Sequence, residues 1–120
     1  MENVEYINKN LKIKEMLNNI EKLMKSNEYN KAYKEAALIL EMLNVQYIKK
    51  FYKEELENTD IAVITKYYSK CDEWLFEKMM FVNSLYELLE SKITKDDLSN
   101  LMLIIDDIYK YMINRLNSNI

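Results

Sequence analysis

Apolar residues recur along most of this chain at intervals of three and four, the spacing of one face of an α-helix. The pattern predicts helical regions over residues 7–25, 28–55 and 60–91, and a last helix from residue 94 towards the C-terminus. Polar stretches separate them, and no linker or low-complexity tract is present. We therefore expect one all-α domain over residues 1–120, an antiparallel bundle of four or five helices.

The region 60–91 is either one helix or two. Ser69 and Asp72 have the spacing of a capping box in which Asp replaces the usual Glu, which favours a break near Ser69. The prediction is then a short helix to about residue 68 and a longer one from residue 70. The longer helix carries the expected core stripe: Leu75, Met79, Val82, Tyr86 and Leu89.

The last helix has the clearest start in the sequence. Thr94 is a good N-cap residue, and the carboxylates of Asp96 and Asp97 suit the positive end of the helix dipole. Ile93 and Leu98 occupy the two positions of a hydrophobic staple. These signals predict a helix that begins immediately after Thr94.

Composition supports the helical interpretation. The chain has no glycine and no proline, and a many-stranded β fold is hard to build without these turn residues. Codon bias contributes as well, because abundant Ile, Lys and Asn are typical of an AT-rich genome.

Most catalytic and metal chemistry is disfavoured by what the chain lacks. It has no histidine, the commonest general base and transition-metal ligand, and no glycine for a phosphate-binding loop. The lone Cys71 can form no internal disulfide and is interpreted as a buried, inert thiol. We predict no enzyme, no catalytic residue, no metal and no cofactor.

Charge and hydropathy limit the binding partners and the cellular compartment that we expect for this chain. The formal charge is −3 with acids and bases interleaved, and Arg115 is the only arginine, so direct DNA binding is not expected. No apolar run approaches the ~18 residues of a membrane span. The N-terminus lacks a signal-peptide pattern, so the prediction is a cytoplasmic protein without membrane contact.

Carboxylates are the remaining candidates for chemistry. Four aspartates lie on the last helix, at positions 96, 97, 106 and 107, where they form either an acidic docking strip or a solvated outer face. The solvated face is the preferred interpretation. The same interpretation, a carboxylate exposed to solvent, is preferred for Asp72, Glu73 and Glu77.

Surplus apolar surface is the most informative feature of the sequence. Trp74, Phe81 and Leu88, spaced by seven, form a second shoulder about 100° from the core stripe of their helix. Ile104 and Tyr111 flank the stripe of the last helix in the same way. We expect one of these shoulders to be buried by a second chain, and the alternative is a short helix near residues 61–68 folding across it.

Three segments resemble HEPN domains, helical bundles named for nucleotide binding in higher eukaryotes and prokaryotes. Residues 27–32 lead into residues 36–43 with a Tyr, Ala and Leu-Glu pattern similar to the long second helix of that family. Residues 93–98, followed by an apolar helix, resemble its final helix. The resemblance implies a bundle of four or five helices that often dimerises.

The same resemblance implies that nuclease chemistry is missing. Many HEPN domains are ribonucleases that use an arginine, a following polar residue and a histidine before the final helix. Here Asn83 matches the polar position, but Val82 stands where the arginine would be and Glu87 falls near the histidine position.

Two functions remain open at this point. The leading one is a non-enzymatic protein-interaction or regulatory module, as a homodimer or with a protein partner. The other is a degenerate HEPN-type nucleotide- or RNA-related domain. Polar groups converging inside the core would favour binding of a small molecule, and the sequence shows no clear set of them.

Overall fold

The computed structural model describes residues 2–56 and 61–118. Five α-helices account for most of these residues, and the described part of the chain contains no strand. Their bounds are α1 Glu2–Lys25, α2 Tyr29–Tyr52, α3 Ile61–Cys71, α4 Glu73–Ser91 and α5 Lys95–Ser118. The predicted all-α bundle is confirmed.

The helices pack around α2 and α5. Helix α2 contacts α1 and α5, while α4 contacts α3 and α5. Tyr33, near the start of α2, stacks on Tyr86 towards the end of α4, and Tyr47, near the end of α2, bonds to Asp72 just before α4. Helix α4 therefore runs antiparallel to α2.

One hydrophobic core joins all five helices. The predicted stripe of α4 is confirmed at Leu75, Met79, Val82 and Leu89, which are all buried. Tyr86 is only partly buried against the core, and Leu85 takes a buried position that was not among the predicted stripe residues.

The end of α1 shows how a chain without glycine stops a helix. Asn27 adopts a left-handed backbone conformation with φ of 60°. The amide of Glu28 donates to the carbonyl of Leu23 at 2.8 Å, and the amide of Asn27 donates to the carbonyl of Met24 at 3.1 Å. This is the Schellman arrangement, with asparagine at the position usually held by glycine.

The break between α3 and α4 lies three residues later than predicted. Ser69 remains inside α3, where its hydroxyl donates to the carbonyl of Thr65 at 2.5 Å. Asp72 is the N-cap of α4, and its side chain accepts from the amide of Leu75 at 3.3 Å. Ser69 was the wrong cap because its hydroxyl bonds back within its own helix.

The predicted start of α5 is confirmed. The Thr94 hydroxyl accepts from the amide of Asp97 at 3.2 Å and donates to the Asp97 carboxylate at 2.8 Å. Leu98 is fully buried and Ile93 packs against the core. Residues 7–25 and 28–55 are also helical over most of the predicted lengths, although α1 begins at Glu2 and α2 ends at Tyr52.

Candidate functional site

The outer side of α4 exposes two large apolar side chains. Phe81 keeps 52% of its surface exposed and Leu88 keeps 53%. Ser84 lies between them, and Glu77 and Lys92 flank them, all three exposed. We call these five residues the α4 outer face.

The rest of the predicted shoulders is partly buried within the chain. Trp74 stacks on Tyr111 with ring centroids 4.4 Å apart and an interplanar angle of 25°. Ile104 is partly buried and packs against the core. The structure thus brings the two predicted shoulders together at Trp74 and Tyr111, and separates Phe81 and Leu88 from them.

Helix α3 does not cover the α4 outer face. It packs along α4, yet Phe81 and Leu88 remain about half exposed. The alternative in which this short helix closes the shoulder within one molecule therefore fails at these two positions.

A buried carboxylate organises the junction of α3 and α4. Asp72 is 6% exposed and accepts hydrogen bonds from the hydroxyl of Tyr47 at 2.9 Å and that of Tyr111 at 3.0 Å. The guanidinium of Arg115 donates to Oδ2 of Asp72 at 2.9 Å and to the hydroxyl of Tyr111 at the same distance. We call Tyr47, Asp72, Tyr111 and Arg115 the polar node, and the predicted solvated position of Asp72 is wrong.

Aromatic rings enclose the positive partner of this node. The guanidinium carbon of Arg115 lies 5.1 Å from the ring centroid of Phe51, 5.6 Å from that of Tyr111 and 5.8 Å from that of Tyr47. A guanidinium over ring faces gains cation–π attraction, and its planar group suits such stacking better than an ammonium would. The node therefore joins α2, α4 and the end of α5.

A second polar chain lies beside the node. The buried hydroxyl of Tyr68 donates to Oδ1 of Asn44 at 2.9 Å, and the amide nitrogen of Asn44 lies 3.7 Å from the sulfur of Met79. Tyr68 also meets Tyr47 edge to face, with centroids 6.0 Å apart. Polar groups thus converge inside the bundle, which was not predicted from the sequence.

Burial keeps these phenols protonated. It raises the pKa of Tyr47 well above its usual value of 10, and the hydrogen bond to Asp72 raises it further. The pKa of Tyr68 is raised in the same way, first by burial. Both hydroxyls therefore remain neutral donors throughout the physiological pH range.

The hydrogen bonds of the node hold helices together. Four donor groups reach the Asp72 carboxylate, and a carboxylate offers about four lone-pair sites. The acceptor capacity of Asp72 is therefore taken up by groups of the chain itself. Across the described residues, no group of three or more His, Cys, Asp or Glu could hold a metal ion.

The remaining carboxylates lie mostly at the surface. Glu73, Glu77, Asp96 and Asp107 are exposed, as the solvated-face interpretation predicts. Asp106 instead is partly buried and pairs with Lys110 at 2.8 Å. The side chain of Cys71 lies outside the part of the chain that the structure describes.

Comparison with known proteins yields no relative. No family model, curated protein or solved structure matches the chain. None of the described helices has the length and apolar content to cross a membrane.

Proposed function

We propose that this chain is a protein-binding module that engages its partner through the α4 outer face. The observation that carries the proposal is the half-exposed pair Phe81 and Leu88. Because they are seven residues apart on one helix, they lie two turns apart on the same side of it. Leaving them in water costs about 25 cal/mol for each Å² of apolar surface, which a partner would recover.

The packing of α4 beneath the α4 outer face favours a role in protein binding. The node holds the start of α4 through Asp72, and Leu85 and Leu89 anchor the helix in the core. A binding surface on a rigid, well-packed helix loses little entropy when a partner docks. Aromatic side chains such as Phe81 are also common anchors at interfaces.

Two other exposed leucines lie elsewhere on the surface. Leu103 on α5 is 67% exposed and lines a groove with residues of α1 and α5, among them Leu17 and Met102. Leu38 is 49% exposed and is the one large apolar side chain that α2 exposes. A single apolar residue of this kind is ordinary in folded proteins, so Leu38 serves as the matched control.

The alternative of a degenerate HEPN-type nucleotide- or RNA-related domain stays a prediction. The polar groups that converge inside the bundle bond to one another, so they lend it no support.

A photoreactive p-benzoylphenylalanine in place of Phe81 tests the proposal in cells that make the protein. Phe81 already places an exposed aromatic ring on that face, so the probe reports on whatever covers it. We expect a protein adduct on irradiation, lost with L88E and retained with L38E. Leu88 and Leu38 are both about half exposed, so the variants are expected to stay folded. No adduct, or an adduct that L88E leaves unchanged, contradicts the proposal.

A further inference from the structure

We infer that the partner of the α4 outer face is a second copy of this chain, with the two α4 helices antiparallel across a two-fold axis near Ser84. The inference rests on the proposed function and names its partner. It comes from the order of apolar and charged residues along α4, which is complementary to itself when reversed.

The apolar pair sets the position of the axis. Phe81 and Leu88 lie symmetrically about a point between Ser84 and Leu85, about 10 Å apart along the helix. An antiparallel pairing about that point places Phe81 of each copy opposite Leu88 of the other. Both half-exposed side chains are then covered at once.

The charged residues share the same midpoint. Glu77 and Lys92 are also symmetric in sequence about the point between Ser84 and Leu85. Lys92 is the C-cap just past the end of α4, and its amide still donates to the carbonyl of Leu88 at 3.0 Å, so it follows the last turn at about 22 Å from Glu77. Both are exposed, and neither takes part in an ion pair within the described part of the chain. Across the axis, Glu77 of each copy meets Lys92 of the other, which gives two opposite-charge pairs at the rim.

The residue at the centre allows the helices to approach. Ser84 is small, and its hydroxyl already donates to the carbonyl of Met80 at 3.2 Å, so it needs no partner across the axis. Helix pairs with small residues at the crossing reach the short end of the usual 8–10 Å interaxial range.

This order of charges favours a second copy over a partner of uniform charge. A uniformly basic helix would attract Glu77 and repel Lys92, and a uniformly acidic helix would do the reverse. In a two-fold dimer the same surface of each copy contacts the other, so that surface has to be complementary to itself. The α4 outer face is self-complementary, because its apolar and charged residues pair when one helix is reversed. Because only two apolar side chains per copy are buried, we expect a weak dimer whose population rises with concentration.

Charge reversal in purified protein tests the inference. We expect E77K alone or K92E alone to weaken dimerisation about tenfold in analytical ultracentrifugation, because each reversal acts twice across the axis. Mixing the E77K and K92E chains restores dimers, because both rim pairs of the mixed dimer then unite opposite charges. The control is E87K, which reverses an exposed charge about 120° away on the same helix and leaves dimerisation unchanged.

The outcomes separate the inference from the proposed function. An adduct of two chains through the probe at position 81, together with rescue on mixing, supports a second copy. A wild type that stays monomeric at every concentration, with the position-81 probe attached to a different protein, overturns the inference and leaves the proposed function standing. Absence of any adduct overturns both, and charge reversals that behave like E87K overturn the inference alone.

Discussion

Replacing Asp72 by alanine is expected to lower the free energy of unfolding by about 3 kcal/mol, the lower end of the range for breaking a buried ion pair. The carboxylate is 6% exposed, and its loss leaves the hydroxyls of Tyr47 and Tyr111 without their acceptor. It also removes the cap of α4. The Arg115 side chain remains 42% exposed, so partial hydration limits the cost of its lost partner. Urea denaturation followed by circular dichroism measures the change.

Two tyrosine variants provide the controls for Asp72→Ala. Tyr47→Phe removes one donor to the carboxylate and is expected to cost about 1 kcal/mol. Tyr109→Phe removes a buried hydroxyl that has no hydrogen-bond partner among the described residues, so it is expected to cost nothing or to stabilise slightly. If Asp72→Ala costs no more than about 0.5 kcal/mol, the ordinary range for a surface change, the account of the node is contradicted.

Alkali is expected to unfold the chain steeply above pH 10. Burial, the largest cause in each case, raises the pKa of Tyr47, Tyr68 and Tyr86 above the usual value of 10. Above pH 10 the unfolded chain releases these three protons while the folded chain keeps them, so rising pH favours unfolding. Below pH 10 both states keep these protons, so the contribution of the three tyrosines to the free energy of unfolding is constant and fully present. Each group contributes about 1.4 kcal/mol per pH unit, so the three together give up to about 4 kcal/mol per pH unit.

Tyr86→Phe is the sharpest control for this pH dependence. Tyr86 stacks on Tyr33, and no hydrogen bond of its hydroxyl is found in the described part of the chain, so the substitution keeps the packing. It is expected to reduce the slope of stability against pH by up to about 1.4 kcal/mol per pH unit, because one proton of a phenol with a raised pKa is removed. An unchanged slope would show that the buried phenols do not govern alkaline unfolding. The measurement is the urea midpoint at a series of pH values between 9 and 12, a range set by the ordinary tyrosine pKa of about 10.

The helices could be predicted because the information for them is local. Apolar residues three and four apart mark a buried face wherever the chain is helical, and the Thr94 cap needs only residues within one turn. The start of α4 was misplaced because Ser69 and Asp72 both satisfy local capping rules. Only the tertiary partners of Asp72 decide between them.

The polar node could not be predicted, because the residues that form it are far apart along the chain. Asp72 lies 25 residues from Tyr47, 39 from Tyr111 and 43 from Arg115 along the chain. No periodicity connects positions so far apart, and an aspartate at a helix start is usually solvated. The signal present in the sequence was Arg115 itself, since a lone arginine on the apolar last helix needs a buried acceptor or an aromatic surface.

The surroundings of the two apolar shoulders could be predicted only in part. A spacing of seven correctly places Phe81 and Leu88 on one side of α4, and both are exposed. It could not reveal that Trp74 would meet Tyr111, because that contact depends on how α4 and α5 pack. The interface role of Phe81 and Leu88 stays a prediction.

Hydroxyl-radical footprinting tests most directly whether the α4 outer face is a binding surface. Oxidation of Phe81 and Leu88 is compared between dilute purified protein and living cells that make it, with Leu38 as the exposed reference and the buried Tyr68 as the protected one. We expect Phe81 and Leu88 to react in the dilute protein and to be protected several-fold in cells relative to Leu38. Oxidation of Phe81 and Leu88 relative to Leu38 that is the same in both settings would contradict the account.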